Sequence, residues 1–194
     1  VTNPRIGIIV ASTRTVRFAD HPLAWLTARL AERDDLQFTV IDVRDHPLPF
    51  YDLPVPPAMA PRQYSSDAER TLGEQFDSLD GFIVIANEFN HGYSAALKNV
   101  LDHFSNEFHR KPVAFVGYGN VGGARAIEQL RQVVAELEMV SIRHAIHITG
   151  PQMAPIREGG ETEAAIFATF DPRLVMVVDD LVWWANALRV ARAA

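Results

Sequence analysis

Five short apolar runs punctuate the chain, and each except the last leads into a loop and then a stretch of helical periodicity. Arg5–Val10, Phe38–Val43, Gly81–Ala86, Lys111–Val116 and Ile142–Ile148 are brief and rich in β-branched residues, which predicts buried strands. Between them the period changes. Ala19, Leu23, Leu26 and Leu30 recur at i, i+4, i+7 and i+11, predicting a helix from about Asp20 to Arg33, with Pro22 tolerable only in its first turn. A second helix is expected from about Ser66 to Leu79. A third, Ala95–Phe104, carries Leu97, Leu101 and Phe104 on one stripe, and a fourth carries Ile127, Leu130, Val134 and Leu137. The last helix starts at Asp171-Pro172, read as an N-cap followed by proline at the first helical position, with a stripe of Leu174, Val177, Leu181, Trp184 and Leu188. Two segments lack any period. Pro47–Tyr64 holds prolines at 47, 49, 54, 56, 57 and 61, and Gly150–Gly160 reads as a Pro- and Gly-containing excursion.

Strands alternating with helices predict an α/β fold: a five-stranded parallel sheet with helices on both faces, a three-layer arrangement. Right-handed crossovers leave few topologies, of which strand order 2-1-3-4-5 suits five strands. In that order strands one and three are neighbours whose following helices diverge, and ligands bind in the crevice at their carboxyl ends. The loops meeting there are 11–18 and 87–94, with 117–123 beside them. Their composition is unusual: Asn87 to Ser94 alone carries a carboxylate, two amides, two aromatics, an imidazole and a hydroxyl. A loop that only reverses the chain needs Gly, Asn or Pro and little else.

Loop 11–18 offers the hydroxyls of Ser12, Thr13 and Thr15 with Arg14 and Arg17, ahead of a helix N-terminus. Unpaired backbone N–H groups and the helix dipole attract an anion there, and arginines add charge-assisted bonds. The loop lacks the Gly-Lys-Ser/Thr of a P-loop, so a monoester phosphate fits better than a nucleoside triphosphate. The alternative is two arginines on a solvated loop. Gly117-Tyr-Gly-Asn-Val-Gly122 matches G-x-G-x-x-G, but the dinucleotide fingerprint belongs on the first strand of a βαβαβ half, and this one follows the fourth. Its glycines either let backbone approach a flat ligand edge or simply make a turn and cap. Gly92-Tyr-Ser94-Ala-Ala96 falls short of a nucleophile elbow, because seven residues, Asn87 to Tyr93, separate strand from serine. Ser94 is therefore read as the N-cap of the third helix; a serine hydrolase using Ser94 would take its base from His144 or His147. No metal site is expected: His144 and His147, three apart on a strand, face opposite ways, and His103 with Glu107 has no third ligand.

Composition narrows the classes. The 194 residues carry a formal charge of −6 from 24 acidic and 18 basic side chains, interspersed, with no basic run to bind nucleic acid. There is no cysteine, which excludes disulfides, thiolate metal ligands and a cysteine nucleophile and suits a reducing compartment. The first thirty residues lack a signal peptide's features and no apolar run approaches the ~18 residues of a membrane span, so a cytoplasmic location without membrane contact is expected.

In their order and spacing these segments resemble the NAD(P)H-dependent FMN reductase family, which includes quinone, azo-dye and chromate reductases. The marks are Ser12-Thr13-Arg14 after the first strand, the Pro-rich crossing after the second, and Glu88-Phe89-Asn90-His91-Gly92 after the third. Ala96-Leu97-Lys98-Asn99-Val100-Leu101-Asp102 continues the third mark. Gly117-Tyr118-Gly119 with Gly122-Gly123-Ala124-Arg125 forms the fourth. The resemblance covers almost the whole chain and implies one flavodoxin-like domain over residues 1–194. It also implies non-covalent FMN, NAD(P)H as co-substrate, a small acceptor (free flavin, quinone, azo compound or metal oxyanion), and a homodimer or homotetramer. Carried over, Ser12, Thr13, Arg14, Arg17 and Phe18 would hold the FMN phosphate. Asn87, Glu88, Phe89 and Asn90 would line the flavin ring, and Tyr118, Gly119, Gly122 and Gly123 would cover another edge. The family usually has Pro-Glu-Tyr-Asn where this chain has Asn87-Glu88-Phe89-Asn90. Asn for Pro loosens the loop and Phe for Tyr removes a phenolic hydrogen bond. Because the cofactor supplies the reactivity, no catalytic acid, base or nucleophile is assigned. A flavodoxin-type electron carrier or a flavin-binding regulator is the non-enzyme alternative; the modest net charge and the arginines of loop 11–18 favour the reductase.

Overall fold

The computed structural model describes residues 2–194. The strands are β1 (Arg5–Val10), β2 (Gln37–Asp42), β3 (Gly81–Asn87), β4 (Pro112–Tyr118) and β5 (Val140–Ile148). They form one parallel sheet in the order β2-β1-β3-β4-β5. Helices α1 (Asp20–Ala31), α2 (Asp67–Asp77), α3 (Ala95–His103), α4 (Ala124–Glu136) and α7 (Asp171–Ala193) fill both faces. Because each strand is covered on two sides, β3 and β4 are buried at every residue. Ile6, Ile8 and Val10 of β1 pack with Trp25, Leu26 and Leu30 of α1 and with Val177 and Leu181 of α7. Ile9, Val84 and Phe115 point the other way, into a layer made by Leu72 and Phe76 of α2, Leu97 of α3 and Ile127 of α4.

Three differences from the expected elements bear on the site. Residues 150–160 are not a loose excursion: α5 (Gly150–Glu158) and α6 (Gly160–Ala168) occupy 150–168. Pro151 falls in the first turn of α5, where a missing N–H costs nothing, and Gln152 Oε1 accepts from the Thr149 N–H and hydroxyl at 2.9 Å each. The two helices break at Gly159 and Gly160, both with positive φ (76° and 62°). Second, Asp171 does not cap α7; it is the first helical residue, and its carboxylate accepts from Trp25 Nε1 (2.9 Å) and from Arg29 Nε and Nη2 (3.0 and 2.9 Å). Tertiary partners have taken the oxygens that a cap would offer. Third, the buried stripe of α7 is Leu174, Val177, Val178, Leu181, Val182 and Ala185, so Trp184 is exposed and Leu188 half-buried.

The Pro-rich crossing between β2 and α2 contains only two short 3-10 turns, Val43–Asp45 and Pro57–Met59. It is tied down by side chains beneath it. Asn99 Nδ2 donates to the Leu48 and Pro49 carbonyls (3.1 and 2.9 Å), and His103 Nε2 donates to the Pro49 carbonyl at 2.8 Å. The other ring nitrogen of His103 meets the buried carboxylate of Glu69 at 2.8 Å.

Candidate functional site

β3 and β4 run slightly further than their apolar runs, so that Asn87 and Tyr118 pair in register at the carboxyl edge of the sheet. Glu88 N–H then donates to the Tyr118 carbonyl (3.1 Å), and the chain reverses at once. Phe89 and Gly92 exchange backbone hydrogen bonds of 2.8 and 2.9 Å around Asn90 and His91, both at positive φ (48° and 70°). Two central residues with positive φ are the mark of a type I′ turn, which Asn tolerates better than most. The Gln129 amide donates to the His91 carbonyl (2.9 Å), and Glu88 binds the Arg125 guanidinium at 2.7 Å and its backbone N–H at 3.2 Å. Phe89, 45% exposed, is thus presented on a loop pinned at both ends by α4.

The first loop is held differently. Ala11 N–H donates to the Ile85 carbonyl (3.1 Å), and the Ser94 hydroxyl donates to the Ala11 carbonyl (2.9 Å) while accepting from Leu97 N–H (3.3 Å). Ser94 is the N-cap of α3, buried and turned away from the crevice, as its sequence spacing predicted. Among the described residues, no backbone N–H from Ser12 to Ala19 donates to a protein acceptor. These donors sit at the entry to α1, whose N-cap Ala19 has no side chain to satisfy them.

The two expected arginines part company here. Arg17 is buried, with Nη1 donating to the Ser12 carbonyl and Asp42 (2.5 and 2.8 Å), Nη2 to Asp42 (2.5 Å) and Nε to Asp20 (2.8 Å). Asp42 above all, against the cost of burial, raises the Arg17 guanidinium above its ordinary value. Burial pushes the Asp42 carboxyl up, yet Arg17 and Arg44 outweigh it and hold it low. Arg17 is a brace under the loop and its charge is already neutralised. Arg14 is exposed and makes no ion pair among the described residues.

A cavity of about 820 Å³ opens between the three loops, within the usual range for small-molecule sites. Of the residues expected there, Ser12, Arg14, Arg17, Phe18, Asn87, Glu88, Phe89, Asn90, Tyr118 and Gly119 line it; Thr13, Gly122 and Gly123 do not. Thr13 turns toward a neighbouring cavity under the Pro-rich crossing. Gly122 and Gly123 make the turn itself, at φ 71° and 69°; a Cβ would stand 2.7 Å from His147 Cβ and from Tyr118 N respectively. His21, His91, Asn120, Arg125, Met153 and Arg157 line the cavity without having been assigned to it. Met153 and Arg157 come from α5, and Arg157 lies 5.4 Å from the centre of the Phe18 ring. No set of three metal-ligating side chains occurs among the described residues, and His147 and His144 diverge, toward the Gly122 carbonyl and Arg173.

Buried polar atoms without partners concentrate at this cavity. Ser12 Oγ and both polar atoms of the Asn87 amide are buried and unsatisfied among the described residues, and both side chains line the opening. Burial drives the Tyr118 phenol up to about 12, with the nearby Ser12 hydroxyl and the Arg17 and Arg14 charges pulling the other way. Orphaned buried groups cost about 1–3 kcal/mol each and require an explanation. A ligand offering a phosphate to the loop amides and Arg14, and a flat polar edge to Asn87, would satisfy them. FMN, the group implied by the sequence resemblance, has both parts and fits the residues present.

The sequence model of one family, described as NADPH-dependent FMN reductase, matches residues 4–151. An NAD(P)H-dependent FMN reductase of Nectria sp is 36% identical over 70% of this chain and 68% of its own length. One from Schizosaccharomyces pombe is 32% identical, again over 70% of this chain and 68% of its own. A 2-hydroxy-1,4-benzoquinone reductase of Burkholderia sp is 31% identical over 70% of this chain and 73% of its own. Among solved structures, the flavoenzyme NAD(P)H:(acceptor) oxidoreductase FerB of Paracoccus denitrificans superposes with a TM-score of 0.70 over 95% of this chain and 98% of that one. At 23% identity it shows the fold.

Proposed function

We propose, for a chain that belongs to the NADPH-dependent FMN reductase family, that the crevice between loops 11–18, 87–92 and 117–123 holds FMN and passes reducing equivalents from NAD(P)H to a small acceptor. The observation that carries this reading is a set of groups without protein partners at one cavity: Ser12 Oγ and the Asn87 amide, buried and unsatisfied, with the backbone N–H groups of the lining residues Ser12, Arg14, Val16, Arg17 and Phe18. When bound, the flavin accepts and releases hydride, and that reactivity is its own. The chain's residues do the holding. Arg14 and the amides ahead of α1 neutralise the phosphate. Asn87 meets the ring's polar edge, and Phe89 and Gly119 wall it. Glu88 is bound to Arg125 and so is a strut for the 87–92 turn rather than a proton donor.

The open side of the cavity suits alternate entry of donor and acceptor, and we assign the acceptor to the class of free flavin, quinone, azo compound or metal oxyanion. We further propose that residues 1–194 act as one domain and that the protein is a homodimer or homotetramer. Phe50 (81% exposed) and Met59 (75%) on the Pro-rich crossing support this assembly, being more apolar surface than a solvated loop needs. The cysteine-free composition supports a cytoplasmic location; no helix of the described residues is long and apolar enough to cross a membrane. The test is the absorbance spectrum of the purified protein with FMN, before and after anaerobic NADPH. Bleaching of the flavin bands on NADPH, restored by a quinone, is expected. No flavin retained, or retained flavin unchanged by either nicotinamide cofactor, overturns the assignment.

A further inference from the structure

Four arginines line the flavin crevice, and the carboxylate among its lining residues is that of Glu88. Two of the four are engaged within the protein: Arg17 with Asp42 and Asp20, and Arg125 with Glu88. Arg14 and Arg157 are exposed and make no ion pair or hydrogen bond among the described residues. Arg14 belongs to the loop ahead of α1, whereas Arg157 is carried by α5, beyond the residues 4–151 matched by the family model. Its placement is built. Thr149 and Gln152 cap α5 as it leaves β5, and Ile156, fully buried, seats the helix on the core next to Arg157. On α6, Phe167 stacks on Trp25 of α1 with ring centres 5.1 Å apart and planes at 15°, and Glu163 Oε1 meets His21 Nδ1 at 2.7 Å. With α6 fastened to α1 in this way, α5, joined to it at Gly159 and Gly160, is held over the start of α1. There the Arg157 guanidinium lies over the Phe18 ring, 5.4 Å from its centre. A cation–π contact uses none of the five guanidinium N–H donors.

The ring beneath Arg157 stands at the phosphate end of the crevice. The N–H groups of Arg14, Val16, Arg17 and Phe18 donate to no protein acceptor, and Ser12 Oγ, in a residue 1% exposed, is unsatisfied in the same cavity. A helix N-terminus supplies about half a positive charge. A monoester phosphate carries about −1.5 to −2 at neutral pH, so Arg14 and the helix end together fall short of the dianion. Arg157 supplies the missing cation from a second element. We propose that Arg157 is a phosphate ligand of this crevice, closing with Arg14 on the terminal monoester phosphate of FMN and making the site selective for the phosphorylated flavin over riboflavin. The proposal rests on the FMN reading of the crevice and divides phosphate recognition between the loop after β1 and a helix that follows β5. Riboflavin, with the same ring and side chain but no phosphate, leaves both arginines without an anion.

The test is titration of the flavin-free full chain with FMN and with riboflavin, followed by flavin fluorescence, in wild type and in Arg157→Gln. The side chain is exposed, so the variant should keep the wild-type far-UV spectrum. Its FMN affinity should fall about 10–100-fold, the range for a hydrogen bond to a charged group, while its riboflavin affinity holds within about twofold. A parallel loss of FMN and riboflavin would make Arg157 a wall of the flavin site and not a phosphate ligand. Unchanged FMN affinity would assign it to some other group. Either result overturns the proposal while leaving the FMN reading of the crevice intact. A wild type that binds neither flavin overturns that reading and this proposal with it.

Discussion

Arg17 and Asp42 close a two-point ion pair beneath the first loop, Nη1 to Oδ1 at 2.8 Å and Nη2 to Oδ2 at 2.5 Å. The pair fastens the loop after β1 to the end of β2 and leaves Arg14 as the arginine of that loop free to meet a ligand.

This division of labour separates two substitutions of the same residue type. Arg17→Ala leaves Asp42, whose side chain is 11% exposed, with Arg44 as its remaining cation and the Ser12 carbonyl without its guanidinium donor, and should cost roughly 3 kcal/mol of stability, the low end of the scale for breaking a buried pair. Arg14→Ala should leave stability within about 0.5 kcal/mol and weaken FMN by roughly 1.5–3 kcal/mol, the scale of a charge-assisted hydrogen bond. Chemical denaturation and FMN titration read the two effects independently. Equal FMN affinity in wild type and Arg14→Ala would remove Arg14 from the site.

That distinction also shows where sequence reasoning reached and where it stopped. The sheet order and the three converging loops were legible because buried parallel strands are continuous apolar runs. Arg17 was grouped with Arg14 because both follow β1, and nothing local reveals that Asp42, 25 residues away, neutralises one of them. Asp171 followed by proline reads as a cap for the same reason, its true partners Trp25 and Arg29 lying on α1. Helices α5 and α6 hide behind Pro151, Pro155, Gly159 and Gly160, residues that argue against helix individually. With α5 unseen, Met153 and Arg157 could not be assigned to the cavity.

Ser94 gives a second test. As the N-cap of α3, bonded also to the Ala11 carbonyl, its change to Ala should cost about 0.5–2 kcal/mol of stability. NAD(P)H oxidation with added FMN should persist. A fluorophosphonate probe should not label the protein, and labelling at Ser94 would restore the hydrolase reading.

Lys111 predicts a pH dependence remote from the site. Its ammonium donates to the Phe76 and Asp77 carbonyls at the end of α2 (2.9 Å each), and burial lowers it from 10.5 to about 8. Below about pH 8 the group is charged in both folded and unfolded chains. Between about 8 and 10.5 the unfolded chain binds more protons, so stability rises with pH. The difference in unfolding free energy between wild type and Lys111→Met should therefore move in favour of the wild type by about 3 kcal/mol from pH 7.5 to 10.5. A pH-independent difference in denaturation midpoints would contradict it.

Asn87 carries the sharpest prediction because its two effects have opposite signs. The amide is buried at the end of β3 with neither polar atom satisfied within the described chain, a standing cost to the ligand-free protein. Asn87→Ala removes that cost together with a few atoms of packing. Ligand-free stability should therefore hold within about 1 kcal/mol or rise, unlike the loss usual for a buried truncation. FMN affinity should fall by about 1–3 kcal/mol, since the same amide is the group proposed to meet the flavin edge. Thermal melts with and without FMN separate the terms: the FMN-induced increase in Tm should shrink in the variant while the ligand-free Tm does not drop. If both fall together, Asn87 is a structural residue of the β3–β4 edge. If neither changes, its unsatisfied atoms have no part in holding the flavin.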